Sequence, residues 1–297
     1  MNKILPHLAL VTANMIWALA YPLYAIVMPS HIAPLPLFTA TLIVTAVLSF
    51  VPLLWQRAEP MVRADIASIV GASLLVALLR KGMLLFALAM SSPVDGSIIA
   101  TLGPIMVLLI SASMGIDRIT TKKGVGLIVG LAGAVAIILS GARGSHSETG
   151  LIGNLMLVAC AIISAIYMVW FKSLLKRYTP ITLLRWSFTI AALVFTPFGI
   201  ESLMKVDFHS MPPHILWAVI YLIIMPTYPP NLLLNYALKR VSPTVTSTYI
   251  YLQPIAAVII SMALHIERIE WTTLLYALVI FLGVGIVIRS YPKRESV

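Results

Sequence analysis

The sequence predicts an all-α membrane protein with ten transmembrane helices, arranged as two five-helix modules of opposite orientation. Three observations carry this. Apolar residues make up 60% of the 297 residues and charged residues 10%, with a mean hydropathy of +1.01; a soluble domain carries about 25% charged residues. Apolar stretches of about 20 residues, enough to span a bilayer, recur along the chain. The sequence also matches itself at a shift of 150 positions: Ala87-Leu88 falls on Ala237-Leu238, Pro93 on Pro243, Pro104-Ile105 on Pro254-Ile255, and Ile116-Asp117-Arg118-Ile119 on Ile266-Glu267-Arg268-Ile269.

The first span, 6–28, follows Lys3 and carries Ala18-Leu19-Ala20, which resembles a signal-peptide cleavage site. The apolar run continues to Met28, so an uncleaved helix is expected. The second span is 35–55, and the third, 66–90, contains Arg80 and Lys81. The fourth, 93–115, contains Pro104; the fifth, 124–141, carries Gly124, Gly126, Gly130 and Gly133. The sixth, 151–174, holds the single cysteine, Cys160, expected to serve packing. The seventh is 181–199 and the eighth, 214–236, is interrupted by Pro226, Pro229 and Pro230. The ninth, 243–264, opens on a polar run and contains Pro254; the tenth is 272–289, with Gly283 and Gly285. Continuous runs of this length indicate helices, because lipid requires every backbone group to be paired within its own segment. The glycine faces suit close helix packing, either within the chain or in a homodimer.

Basic residues set the orientation. With the N-terminus in the cytoplasm, the inner side holds fourteen: Lys3, Arg57, Arg63, Arg118, Lys122, Lys123, Lys172, Lys176, Arg177, Lys239, Arg240, Arg289, Lys293 and Arg294. The outer side holds three, Arg143, Lys205 and Arg268. Both termini are therefore expected in the cytoplasm of a cell whose inner membrane the protein crosses. The net charge of +10 reflects these loops and gives no reason to invoke nucleic acid. Five helices per module is an odd number, so the second module starts on the opposite side. Inverted repeats of this kind recur in secondary transporters.

The shared signature reads Ala87-Leu88, Pro93, Pro104, Asp117-Arg118, Gly130 and Gly133 in the first copy. In the second it reads Ala237-Leu238, Pro243, Pro254, Glu267-Arg268 and Gly283, and Trp17 fits as well. In these residues the chain resembles the two EamA domains of the drug/metabolite transporter superfamily, over 1–142 and 150–290. The resemblance implies ten helices, a central cavity, and export or uptake of small metabolites; export is the expected direction. It implies no cofactor and leaves the substrate open.

Pro104 and Pro254 fall near the middle of their spans. An interior proline removes one backbone hydrogen bond and blocks another, so both are expected to kink their helices. Pro226, Pro229 and Pro230 are expected to break the eighth span and free carbonyls at membrane depth, a pointer to a transporter's binding site.

Arg80 and Lys81 lie about ten residues from the outer end of their span, or roughly 15 Å at helical rise, near the bilayer midplane. A charge there costs about 2.5–3.5 kcal/mol on insertion scales. The acidic residues fall in loops or at span ends, apart from Asp95, about one turn in. Three readings stand: the bases bind an anionic substrate group, with Arg80 offering a bidentate fork; they bond broken backbone, since the 150-residue shift sets Arg80 on Pro230 and Lys81 on Asn231; or Lys81 titrates or snorkels. Adjacent helical residues point about 100° apart, so the two are expected to engage a ligand differently. Lys172 and Arg185 are expected to be interfacial anchors. Trp17, Tyr21, Tyr24, Tyr167, Trp170, Tyr228, Asn231, Asn235, Tyr236, Tyr249 and Gln253 supply the aromatic and polar groups of an organic-solute cavity.

No Walker-type loop appears, so ATP drive within this chain is not expected. HExxH and GxSxG are absent and the six histidines are scattered, which weighs against a membrane enzyme and a metal site. A non-transporting scaffold or regulator leaves the polar, broken helices without a purpose.

Overall fold

The structure, a computed structural model, describes residues 4–28, 30–55, 57–141, 149–266 and 270–290. The Glu267-Arg268-Ile269 motif and the basic residues Lys3, Arg143, Lys293 and Arg294 lie outside these. The described chain is all-helical. Helices α1 (Leu5–Val27) and α2 (Pro34–Leu48) are followed by α3 (Ile66–Ala72), a π-helical stretch (Ser73–Arg80) and α4 (Lys81–Met90), which form one continuous span. Next come α5 (Pro93–Ala100), α6 (Gly103–Ser113) and α7 (Thr121–Gly141). The second half holds α8 (Gly150–Trp170), the short α9 (Lys172–Arg177), α10 (Pro180–Met204), α11 (Pro213–Ile224), α12 (Tyr228–Leu238), α13 (Pro243–Thr248), α14 (Leu252–Ala263) and α15 (Trp271–Arg289).

Among the described residues, nine helical spans are long and apolar enough to cross a membrane. The tenth expected span corresponds to α7, a 21-residue helix outside that set of nine. Large apolar side chains such as Leu193, Phe198 and Trp217 stand exposed around the bundle. That is the surface a lipid-facing helix presents, since lipid rather than water receives it.

The halves repeat in local detail. Ser92 caps α5 by accepting from Asp95 N–H, and Ser242, 150 residues on, caps α13 by accepting from Val245 N–H. After α6 the chain turns through Gly115 at φ 68°, and after α14 through His265 at φ 52°. Each turn is closed by the next residue, Ile116 N–H donating to Ser111 O and Ile266 N–H to Ser261 O. This is a left-handed helix stop, a position where glycine has no steric penalty and histidine does.

Packing pairs the halves. α2 lies on α10, with Phe38 against Phe195 and, just past the end of α2, Phe50 against Arg185. Rising numbers on one helix meet falling numbers on the other, so these corresponding helices run antiparallel. α7 lies on α15 in the same sense: Gly126 meets Gly283 and Val287, and Gly133 meets Ile280 and Tyr276. A Cβ on Gly283 would stand 2.2 Å from Gly130 N. The glycine face formed by Gly126, Gly130, Gly133 and Gly283 is therefore consumed inside the chain. The pairs α1–α12 and α8–α4 exchange under the 150-residue shift, and so do α5–α14 and α13–α6.

The prolines do something other than kink continuous helices. α5 ends at Ala100 and α6 restarts at Gly103, which puts Pro104 in its first turn. α13 gives way to a 3-10 turn, Tyr249–Tyr251, and Pro254 falls in the first turn of α14. α11 ends at Ile224 and α12 starts at Tyr228, so Pro229 and Pro230 also occupy a first turn. First-turn N–H groups have no intrahelical acceptor, so proline loses nothing there. In α11–α12 only Pro226 sits inside the interruption itself.

Candidate functional site

The three interruptions converge on one cavity. It encloses about 870 Å³ of empty space, the open solvent at its mouth included, and is bounded by α1, the π stretch with α4, α5, α8, α12 and the 3-10 turn before α14. Both halves contribute walls. A side chamber of about 500 Å³ continues it past Gly96, Gly103 and Cys160, sharing Tyr21, Arg80 and Ser164 with the main space.

Arg80 and Lys81 both line the cavity. They diverge as a helix requires. Arg80 Nε donates to Ser164 Oγ of α8 at 2.5 Å, while Lys81 Nζ donates to Tyr24 Oη of α1 at 3.0 Å. Lys81 is only 6% exposed and its ammonium lies 5.6 Å from the Tyr24 ring centroid. The π-helical stretch ends at Arg80, and such widened turns often occur at functional positions. The thiol of Cys160 donates to the Arg80 carbonyl at 3.5 Å, so the cysteine is buried at the chamber wall.

Trp17, Tyr21, Asn231, Gln253 and Pro226 also line the cavity. Trp17 Nε1 donates to the Pro226 carbonyl at 2.8 Å. The backbone acceptor opened by the break is thus taken by an indole from the other half rather than by either base. Asn231 Nδ2 donates to Thr227 O at 2.5 Å, across the start of α12. Tyr21 Oη donates to Gln253 Oε1 at 3.3 Å, and Gln253 Nε2 donates to Asn14 Oδ1 at 2.7 Å. This chain of amide and hydroxyl groups fixes the floor of the cavity.

Several expected residues lie elsewhere. Tyr249 is outside the lining and its hydroxyl pairs with His7 Nδ1 at 2.6 Å. Tyr228 is also outside it; its hydroxyl is buried with no hydrogen-bond partner among the described residues. Pro104, Pro229, Pro230 and Pro254 shape the cavity from outside its lining. Trp170 is 63% exposed and faces outward. Arg185 is no interfacial anchor: it is 4% exposed, held between the rings of Phe50 and Trp186. Sequence reasoning missed Asn14, Ser164 and Met168. An asparagine inside an apolar span was the one available signal, since a buried amide must be paired.

At one end of the bundle, polar groups join the two halves. Asp65, buried at the start of α3, accepts from Tyr178 Oη at 2.8 Å and pairs with Arg177 at 2.5 Å. Tyr178 Oη in turn accepts from Val62 N–H. Glu59 accepts from Thr179 N–H at 2.9 Å and Thr179 Oγ1 at 3.0 Å. Burial opposes ionisation of Glu59, but the Thr179 and Thr182 hydrogen bonds and the Lys239 charge outweigh it and hold its carboxyl below the usual range.

Known proteins share this organisation. The profile of the EamA-like transporter family matches residues 4–139 and again 151–289. An uncharacterized transporter of Archaeoglobus fulgidus is 26% identical over 194 residues, 65% of this chain and 67% of its own length. The uncharacterized transporter YyaM of Bacillus subtilis is 22% identical over 212 residues, 69% of each chain. One solved crystal structure superposes with a TM-score of 0.66, covering 96% of this chain and 98% of its own at 18% identity, which speaks to the fold alone. With its profile matched once in each half, the chain belongs to the EamA-like transporter family.

Proposed function

We propose that this multi-pass membrane protein is a secondary transporter of small organic metabolites that carry an anionic group. The observation that carries the reading is the placement of Arg80 and Lys81 on one cavity whose walls come from both halves. Their protein partners are neutral, Ser164 and Tyr24. A charge-assisted contact to an incoming carboxylate or phosphate therefore completes what the fold leaves open. Trp17, Tyr21, Asn231 and Gln253 pack and orient the remainder of the solute.

Alternating access follows from the pairing of halves. On this reading the modules 1–142 and 150–290 form an inverted repeat across ten spans with both termini in the cytoplasm of the inner membrane, which the antiparallel corresponding helices and the bias of basic residues support. Exchange of conformations between the modules would turn a cavity open on one side into one open on the other. The expected direction is export.

A thermal-shift screen of small metabolites on the purified protein identifies the ligand, since binding raises the melting temperature by mass action. Uptake into sealed proteoliposomes then tests transport and its direction. Arg80→Gln and Lys81→Gln should each weaken ligand affinity by about tenfold to a hundredfold, the equivalent of roughly 1.5–3 kcal/mol, with the fold retained. Unchanged affinity in both variants would overturn the anion site.

A further inference from the structure

The charge balance of the cavity narrows the substrate class beyond a single anionic group. Among the described residues the lining carries two cations, Arg80 and Lys81, and no carboxylate; the side chamber adds none. The acidic groups near the bundle are committed elsewhere. Asp95 lies at the α5 start with Asn154, Asp117 pairs with Lys123, and Asp65 pairs with Arg177. Arg80 spends its Nε on Ser164, and its two terminal nitrogens have no protein acceptor among the described residues. Lys81 spends one donor on Tyr24. Both cations therefore keep unused donors, and neither is neutralised by the protein.

A zwitterion would leave both charges uncompensated. A monocarboxylate would leave one, in a region where a lone buried charge costs several kcal/mol. A solute with two negative charges balances the pair. The side chains are held apart by different helices, Arg80 by α8 and Lys81 by α1, so each meets its own anionic oxygens. The lining also offers the Trp17 and Tyr167 rings to a carbon skeleton, while the amides of Asn231 and Gln253 are engaged with protein groups. We infer that the cavity selects a small organic dianion, a dicarboxylate or a phosphate monoester, and discriminates against monoanions and zwitterions. This rests on the anion-site reading above.

The test measures affinity on the purified full-length protein for glutarate, for valerate, which has the same five-carbon chain and one carboxylate fewer, and for glycerol phosphate, which carries close to two charges near neutral pH. Glutarate, glycerol phosphate or both should bind at least about tenfold more tightly than valerate, as one added charge-assisted contact gives. The arm that binds tells separated carboxylates from a single phosphate. Arg80→Gln and Lys81→Gln should each shrink the preference to about twofold, and Arg80→Lys should keep most of it. Valerate binding as tightly as the dianions overturns this inference while leaving the anion site standing. No binding of any of the three overturns both. A preference surviving in both neutralised variants also overturns it, by placing the second contact elsewhere. If the Gln variants fail to fold, the wild-type ratio and Arg80→Lys still decide.

Discussion

Trp17 illustrates how one side chain can join the two halves. Its indole N–H holds the Pro226 carbonyl, and its ring forms cavity wall. Trp17→Phe keeps most of the ring and removes the donor, so an acceptor opened by the helix break loses its partner. The expected cost is about 1 kcal/mol, read as a lower melting temperature together with weaker ligand binding. Stability alone falling would assign Trp17 to the scaffold only. His265 is the opposite case, a residue working against its backbone. It sits at φ 52° where its counterpart is Gly115 at φ 68°. His265→Gly should raise stability by up to about 1 kcal/mol, while Gly115→Ala should lower it by a similar amount. Equal melting temperatures for all three proteins would show that the turns relax without the left-handed residue.

Helix pairs set the next scale. The α7–α15 contact depends on glycines that allow backbone to touch backbone. A methyl group at Gly283 would meet Gly130 N at 2.2 Å and Gly126 O at 2.6 Å, and neither can move as a flexible side chain does. Gly283→Ala should therefore force the helices apart and cost roughly 1–3 kcal/mol. Gly285, two residues on, has open space around its Cβ position, and Gly285→Ala should be neutral or slightly stabilising through helix propensity. Comparing the two melting temperatures checks the packing directly. The proline breaks separate in the same way. Pro229 and Pro230 occupy the first turn of α12, where alanine is tolerated, so the double alanine variant should retain most function. Pro226 lies in the interruption, and Pro226→Ala permits α11 and α12 to fuse, which should impair transport at equal expression. Wild-type transport in the Pro226 variant would reduce the break to a passive feature.

Across the whole molecule, the two ends differ in chemistry although their architecture corresponds. One end is tied by Glu59, Asp65, Arg177, Tyr178 and Thr179. The positions 150 residues away from Asp65, Arg177 and Tyr178 are Ile215, Val27 and Met28, all buried in the apolar core. One end is thus closed by hydrogen bonds and ion pairs, the other by apolar packing. At the first end the closure itself should respond to pH. Glu59 titrates below its ordinary value of 4.5 when folded. Its contribution is therefore complete above that ordinary value and is lost as pH falls through the depressed one. Acidification below about pH 4.5 should destabilise the wild type more than Glu59→Gln, measured as the difference in melting temperature between the two. Identical pH profiles would remove Glu59 from the closure. Topology is tested independently: reporters fused after Val297 and inserted within 144–149 should report opposite sides of the membrane.

The sequence by itself determined the all-helical membrane fold and the duplication. Hydropathy and the 150-residue match are properties of the chain, and lipid leaves a long apolar segment little choice but helix. The same reasoning singled out Arg80, Lys81, Trp17, Tyr21, Asn231 and Gln253, because a polar group inside an apolar span stands out before any folding is known. Tertiary structure decided what these groups do with one another. It gave Ser164 to Arg80, Tyr24 to Lys81 and the Pro226 carbonyl to Trp17, and it placed Tyr228 and Tyr249 outside the cavity lining. It also put Pro104, Pro229, Pro230 and Pro254 in first turns and turned Gly126, Gly130, Gly133 and Gly283 toward each other's helices. Such outcomes depend on partners more than a hundred residues away, or on the angle at which two helices meet. A one-dimensional pattern records which residues need partners; only the packed chain selects them.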